Sequence, residues 1–280
     1  MGAPISVGAV RSTLEKLGLR PSKGRGQNFL VDASAISRII TFANIGPEDR
    51  VLEIGPGLGA ISYALAEKAK SYTAVDCEEK FCAYLQEEIP RAQIICGDVR
   101  KLNIGEIAPN GEKLSVVSNV PYSISSEVLL WILDNRAFIR KASLLLQREF
   151  AERVAATLGK REGGPLTVRT ALLADTKLGS VFGGDSFSPR AEVDSRLLEV
   201  VPLSKPRFPI DDRLLERICR GVFTQRRKVL LNSLVGSSLV PDKAVAASVL
   251  QEANIEADRR PETLTLEEFV KLAFAVEKVA

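Results

Sequence analysis

The chain contains no histidine. That absence removes Ser-His-Asp and Cys-His catalysis, imidazole general bases and nearly all zinc sites, and it predicts a protein without a bound metal. Whatever chemistry occurs must run without the side chain that titrates near neutrality by default. Sulfur is scarce too, with one Met and four Cys (Cys77, Cys82, Cys96 and Cys219) among 280 residues. None of the four forms a C-x-x-C pair, and their spacing suggests no disulfide framework. They read as reduced thiols of a cytoplasmic protein. No apolar run approaches the ~18–20 residues of a membrane span, so no membrane partner is expected. Residues 1–19 do not read as a signal peptide, because Arg11, Glu15 and Lys16 interrupt their apolar positions. A charge excess of one sign is also missing, since the net charge is only +3. Charge gathers locally instead. Lys205, Arg207, Arg213, Arg217, Arg220, Arg226, Arg227 and Lys228 face only Asp211, Asp212 and Glu216 in the same stretch. Such a cluster is either a solvated face or a footprint for a polyanion.

What is present is the composition of a globular protein, 45% hydrophobic and 26% charged. The length suits one large domain, or one of about 200 residues plus a small one. Through the first 150 residues, strand-like apolar runs (50–54, 72–76, 93–96, 114–118 and 142–146) alternate with helical patterns (61–70, 78–88 and 126–134). That order predicts βαβ units and a mostly parallel, doubly wound α/β sheet. Two more strands, 177–182 and 196–203, are joined by a Gly/Ser/Pro-rich loop and suit an antiparallel hairpin at the end of the sheet. "SKPRFP" (204–209) reads as a linker. Helical patterns alone follow it, over 211–223, 226–234, 242–253 and 266–276. The expected domains are therefore 1–205 and a small all-α unit, 206–280.

"EIGPGLGA" (53–60) follows the first strand and opens a helix. Gly55, Gly57 and Ala60 satisfy the GxGxxA pattern of dinucleotide enzymes; Gly55, Gly57 and Gly59 equally satisfy the GxGxG pattern of S-adenosylmethionine (SAM) enzymes. In both, glycines let the backbone turn tightly beside a ligand. Asp76 ends the second strand 21 residues after Gly55, where a carboxylate can accept from ribose hydroxyls in either case. Three features favour SAM. Glu53 puts a carboxylate against the loop, which suits a sulfonium better than a pyrophosphate. Asp98, in "CGDV", ends the third strand, where it can accept from an adenine amino group. "NVPY" (119–122) closes the fourth strand. All these positions fall at carboxyl ends of parallel strands, where ligands bind in such folds. Read alone, Asp98 would be a turn residue or helix cap.

The "NVPY" stretch suits an amine on a flat ring. Such a nitrogen is a poor nucleophile because its lone pair is delocalised. The side-chain oxygen of Asn119 and the carbonyl of Pro121 can hold its two hydrogens out of the ring plane, with proline fixing φ to aim the carbonyl. Tyr122 can stack on the ring. Catalysis would then be positioning plus electrostatics, which needs no histidine.

At these residues the sequence resembles the ribosomal RNA adenine N6-dimethyltransferases. "NVPY" is similar to their N-L-P-Y motif, "GQNFLVD" (26–32) to their N-terminal signature, and "EIGPGLG" to their SAM loop. "FSPRAEVDS" (187–195) resembles their F-x-P-x-P-x-V-D-S loop, with Ala191 for the second proline. "VFTQRRKVLLNSL" (222–234) resembles the segment opening their helical domain. The matching motifs run in order from about residue 23 to 234, and the tail beyond matches loosely. The resemblance implies a Rossmann-like SAM-dependent methyltransferase sheet with a small C-terminal all-α domain. It implies SAM as cofactor, S-adenosylhomocysteine as product, and dimethylation of two adjacent adenines in the 3′-terminal hairpin of 16S rRNA. The substrate would be a pre-30S or 30S subunit and the enzyme a monomer, in its bacterial small-subunit branch. Residue by residue, it places Asn28 and Leu30 on SAM, Gly55 by the methionine part, Asp76 at the ribose, Asp98 at the cofactor adenine and Asn119 at the transferred methyl. Tyr122 and Phe187 would sandwich the target adenine. Without the resemblance, Phe187 reads as a loop aromatic anchored on the core, and residues 27–30 as a helix entry. Arg226, Arg227 and Lys228 either meet RNA phosphates or pack at a helix start; Arg20, Lys23 and Arg25 in the N-terminal arm are the better RNA contacts. Dimethylation of large-subunit rRNA and a subunit-checking binding factor are the competing readings.

Overall fold

The computed structural model describes residues 3–21, 27–108, 111–160, 163–225 and 227–279. Nine strands are described: β1 (Phe29–Leu30), β2 (Arg50–Ile54), β3 (Ser71–Asp76), β4 (Gln93–Cys96), β5 (Leu114–Asn119), β6 (Ile139–Gln147), β7 (Ala174–Phe182), β8 (Phe187–Ser188) and β9 (Ser195–Pro202). The described helices are α1 (Val7–Lys16), α2 (Ala33–Ala43), α3 (Ser62–Lys68), α4 (Glu79–Glu88), α5 (Ile104–Ile107), α6 (Ser125–Asp134), α7 (Arg148–Val154), α8 (Pro165–Leu173), α9 (Asp212–Phe223), α10 (Leu230–Gly236), α11 (Lys243–Glu252) and α12 (Leu266–Glu277). None of them is long and apolar enough to cross a membrane.

Seven strands form one sheet in the order β4-β3-β2-β5-β6-β9-β7. Neighbours from β4 to β6 run parallel, and β9 runs antiparallel to β6. The inner parallel strands β2, β3 and β5 are buried along most of their length, as covering by helices on both faces requires, while the edge strand β4 is partly exposed. Val116 and Val117 of β5 and Leu144 and Leu145 of β6 are fully buried. From β2 the chain builds outward through β3 and β4, then returns to place β5 on the other side. The crevice between β2 and β5 is therefore a topological switch point, the place where open α/β sheets bind ligands.

The segment 27–30 is not a helix entry. Phe29 and Leu30 pair antiparallel with Ser188 and Phe187 as a two-stranded ribbon. The helix starts later because Asp32 caps it, accepting from Ser34 N at 2.8 Å and Ala35 N at 3.2 Å, a contact typically worth ~1 kcal/mol. Ala35, Ile39 and Ala43 then recur at helical spacing and are buried. The second oxygen of Asp32 accepts from Ser186 Oγ at 3.1 Å, and Val31 N donates to Ser186 O at 2.9 Å. The N-terminal segment and the 183–195 loop are thus stitched together.

The chain divides into one unit of residues 1–151 and 176–202 and a second of 152–175 and 203–280. A single boundary at 205 misses the first piece of the helical unit. The reason is α8, which packs on α9: Arg169, 5% exposed, pairs with Asp212 at 3.1 Å and Glu216 at 3.3 Å. A buried guanidinium needs such partners, which holds 152–175 to the helices. Within this unit Phe223 stacks on Phe269 with ring centroids 5.8 Å apart, and Thr265 and Glu268 form a reciprocal cap on α12.

Candidate active site

The carboxyl ends of β2 to β5 open into a cavity of about 320 Å3. Its floor is the glycine turn. Gly55 and Gly57 have φ of +65° and +56°, conformations that cost other L-residues roughly 1–2 kcal/mol. Space is also short there. A Cβ on Gly57 would meet the Phe29 ring at 3.3 Å, and one on Gly55 would meet Pro121 Cδ at 3.4 Å. The glycine turn, the N-terminal segment and the "NVPY" stretch therefore close on one another, and all three line the cavity.

Asp76 is fixed from behind. Its Oδ2 accepts from Gly57 N at 3.1 Å and its Oδ1 from Glu78 N at 3.0 Å. Burial still pushes its carboxyl above the ordinary range, against those two bonds. Each oxygen keeps lone-pair capacity for a ligand hydroxyl. Glu53 lies deeper, 2% exposed, with Tyr72 Oη donating at 2.5 Å. Burial raises its pKa to about 7, the Tyr72 bond opposes, and the nearby Asp76 charge adds to the rise. Asp98 caps a short turn through Arg100 N at 3.0 Å and is gripped by the Arg100 guanidinium, which holds its carboxyl below the ordinary range.

Asn119 ends β5, where Ser118 Oγ donates to Ile54 O at 2.6 Å and Val120 N donates to Leu145 O at 3.1 Å. Its Nδ2 donates to Asn28 O at 3.3 Å. That commits the nitrogen and leaves the amide oxygen as the acceptor. Pro121 has φ −54° and ψ 126°, and its carbonyl already receives Ile124 N at 3.0 Å, so one of two lone pairs remains. Tyr122 is half-buried, lines the cavity and is tethered by a 2.6 Å hydrogen bond between its hydroxyl and Ser195 Oγ.

The cavity brings together Asn28, Leu30, Glu53, Gly55, Gly57, Asp76, Asp98, Asn119, Pro121 and Tyr122. Phe187 is different. It is 3% exposed, sits in the core with Leu30, Ile39, Phe182 and Leu197, and lines no part of the cavity. Its ribbon pairing with Leu30 goes with a ring buried in that cluster, against which Tyr122 also packs. The anchoring expected of a loop aromatic is what Phe187 does. Among the basic residues, Arg20, Arg227 and Lys228 are exposed; Lys23, Arg25 and Arg226 lie outside the described residues.

The lining residues that the sequence reading did not assign to the site include Pro4, Val10, Phe81 and Arg100. Val10 belongs to α1, capped by Ser6, whose Val10 and Leu14 pack with Phe29, Leu58 and Phe81. The spacing of Val7, Val10 and Leu14 behind a serine was the available signal. Phe81 receives Phe29 edge-on at 5.9 Å.

The donor set decides between the two cofactors that the glycine pattern allows. Two lining carboxylates, Asp76 and Asp98, and the buried Glu53, which burial holds near the point of ionisation, face one guanidinium (Arg100), itself already paired. A pyrophosphate would be repelled there, whereas a nucleoside bearing a cationic centre finds a carboxylate for its charge, its ribose and its amino group.

The family model "Ribosomal RNA adenine dimethylase" matches residues 20–272, which takes the match through the tail beyond 234. A "Ribosomal RNA small subunit methyltransferase A" of Desulforapulum autotrophicum is 38% identical over 94% of this chain and 94% of its own length. The protein of the same name from Geobacter metallireducens is 36% identical over 92% of this chain and 96% of its own. Among solved structures, a dimethyladenosine transferase from Plasmodium falciparum superposes with a TM-score of 0.75 at 24% identity, over 89% of this chain and 98% of that one. The 23S rRNA methyltransferase ErmE gives 0.66 at 24% identity, over 89% of this chain and 100% of that one. These two likenesses establish a methyltransferase fold, and the sequence matches establish more: the chain belongs to the ribosomal RNA adenine dimethylase family.

Proposed function

We propose that the protein dimethylates the N6 amino groups of two adjacent adenines in the 3′-terminal hairpin of 16S rRNA, within a pre-30S or 30S subunit. The observation that carries this reading is the shared cavity: the glycine turn with its carboxylates and the Asn119–Tyr122 stretch line one space. The family membership supplies the class of substrate, and relatives named for the small subunit support that branch.

The cofactor supplies an electrophilic methyl group when bound. Glu53 would face its positive charge, Asp76 would accept from the ribose and Asp98 from the adenine amino group, and Asn28 and Leu30 would line the cavity around it. The chain's remaining task is to present an amine. The amide oxygen of Asn119 accepts one N6 hydrogen, and the open lone pair of the Pro121 carbonyl accepts the other. Holding both hydrogens turns the nitrogen lone pair out of conjugation and aims it. Tyr122, steadied at its hydroxyl by Ser195, covers one face of the base. Phe187 is assigned to the other face, as the resemblance implies; its ring is buried in the cluster against which Tyr122 packs. The target base must leave its stack to reach this depth. No described side chain has to act as a strong base, because the methylated amine can lose its proton to water. Arg20, Arg227, Lys228 and the flanking Lys23, Arg25 and Arg226 are assigned to RNA phosphates. The enzyme works as a cytoplasmic monomer without metal in this reading.

The test is methyl incorporation from labelled SAM into small- and large-subunit particles from cells lacking the activity, followed by nucleoside analysis. Dimethyladenosine in the small subunit alone is the expected result. Label in the large subunit would replace the proposed substrate, and no label in either would replace the activity with a binding role.

A further inference from the structure

Arg100 has no task in the reading above, although it lines the cavity. Its guanidinium forks over Asp98: Nε lies 2.9 Å from each carboxylate oxygen, and Nη2 lies 2.6 Å from Oδ2. The backbone N of the same residue donates to Oδ1 at 3.0 Å. The main chain therefore fixes the carboxylate while the side chain covers it. The arginine side chain is 50% exposed and that of Asp98 27%, so the fork is open to solvent on one side. The turn that carries Arg100 packs against α6, whose Glu127 also favours the arginine's charged form, after Asp98.

We propose that Arg100 is a positioning residue for cofactor exchange: its guanidinium and the cofactor's adenine amino group compete for Asp98, so binding opens the fork and departure of the spent cofactor closes it. The proposal rests on the assignment of Asp98 to the cofactor adenine. Fresh and spent cofactors carry the same adenosine, so the competition weakens both alike and speeds turnover between them. A reaction that adds two methyl groups to each of two adenines consumes several cofactor molecules per substrate, and the exchange step recurs each time.

The experiment is calorimetric titration of S-adenosylhomocysteine into the full-length wild type, R100A, R100K and D98A, with stopped-flow measurement of its dissociation. R100A is expected to bind about three- to tenfold tighter and release correspondingly more slowly, the scale of freeing a carboxylate from one partly exposed ion pair. R100K keeps a charge but loses the fork, and should fall between. Raising the salt screens the internal pair, so wild-type affinity should move toward that of R100A, which should itself change little. A merely structural arginine would not give that convergence. Unchanged or weaker binding by R100A would overturn the proposal. D98A separates the two ways of failing. If D98A loses affinity while R100A gains none, only the role of Arg100 falls. If D98A binds like the wild type, the adenine assignment itself falls, and the proposal with it.

Discussion

The two ends of the cavity are built by different means. At the cofactor end, main chain does most of the work: left-handed glycines, Gly57 N and Glu78 N on Asp76, and a carboxylate sealed beneath them. At the base end, side chains carry more of it, beside the one main-chain carbonyl of Pro121: the Asn119 amide, the Tyr122 ring and the Ser195 hydroxyl that tethers it. Main-chain groups cannot be removed by substitution, only distorted. The comparison teaches that changes at the cofactor end should act through strain and burial, while changes at the base end should delete function with the fold intact.

The sharpest break is Asn119→Ala. Cofactor binding should persist while methyl transfer falls at least ~100-fold, on the scale of losing one preorganised catalytic contact. Single-turnover rates beside a binding titration check it, and near-normal turnover would remove Asn119 from the mechanism.

At the opposite end, Glu53 should write itself into stability. In the unfolded chain its carboxyl ionises near 4.5, and in the fold burial keeps it protonated up to about 7. Below both values the group is neutral in either state and contributes no difference. As the pH rises between them the unfolded chain loses its proton first, so stability falls, by on the order of 3 kcal/mol in total, and levels off above. Glu53→Gln should flatten that decline. Denaturant midpoints measured across pH 4 to 8, a range set by about these two values, decide it, and parallel curves for the two proteins would contradict the assignment.

Gly57→Ala comes next. The positive φ and the Phe29 ring together should lower the melting temperature and weaken cofactor binding about tenfold, from roughly 1–2 kcal/mol of backbone strain. A variant that melts like the parent and binds weakly would show that the ligand, more than the strain, needs the missing side chain. The smallest effect is expected at Lys228, exposed and outside the cavity. Lys228→Ala should reduce the slope of log affinity for RNA against log salt by about one and leave cofactor binding alone. An unchanged slope would free it from phosphate.

Legibility in the sequence follows the same division. The parallel strands were readable because burial on both faces writes continuous apolar runs, and their carboxyl ends located Glu53, Asp76, Asp98 and Asn119 in one crevice. What could not be read was decided by pairing across long separations. Phe29 and Leu30 carry no strand signal of their own; they become a strand because Ser188 and Phe187 lie alongside. The same pairing goes with the burial of Phe187, which nothing in its own neighbourhood of the sequence announces. The piece 152–175 joins the helical unit through Arg169, whose partners sit more than forty residues away in sequence. Arg100 was passed over because an arginine two residues after an aspartate is locally unremarkable; only the fork on Asp98 gives it meaning.

The ribbon of Phe29–Leu30 with Phe187–Ser188 also bears on how the protein is made. It joins the beginning of the sheet-bearing unit to almost its end, and closing so long a loop is entropically slow. During synthesis the N-terminal segment can meet Leu58, Phe81 and Asn119 early, but its strand partner arrives only when residue 188 has left the ribosome. Because Asn28 and Leu30 form a wall of the cavity, the last clasp on that wall closes late. A nascent chain truncated before the ribbon would carry the glycine turn and its carboxylates with that wall less firmly held. Cofactor retention by ribosome-bound chains of increasing length would therefore report when this unit has finished folding.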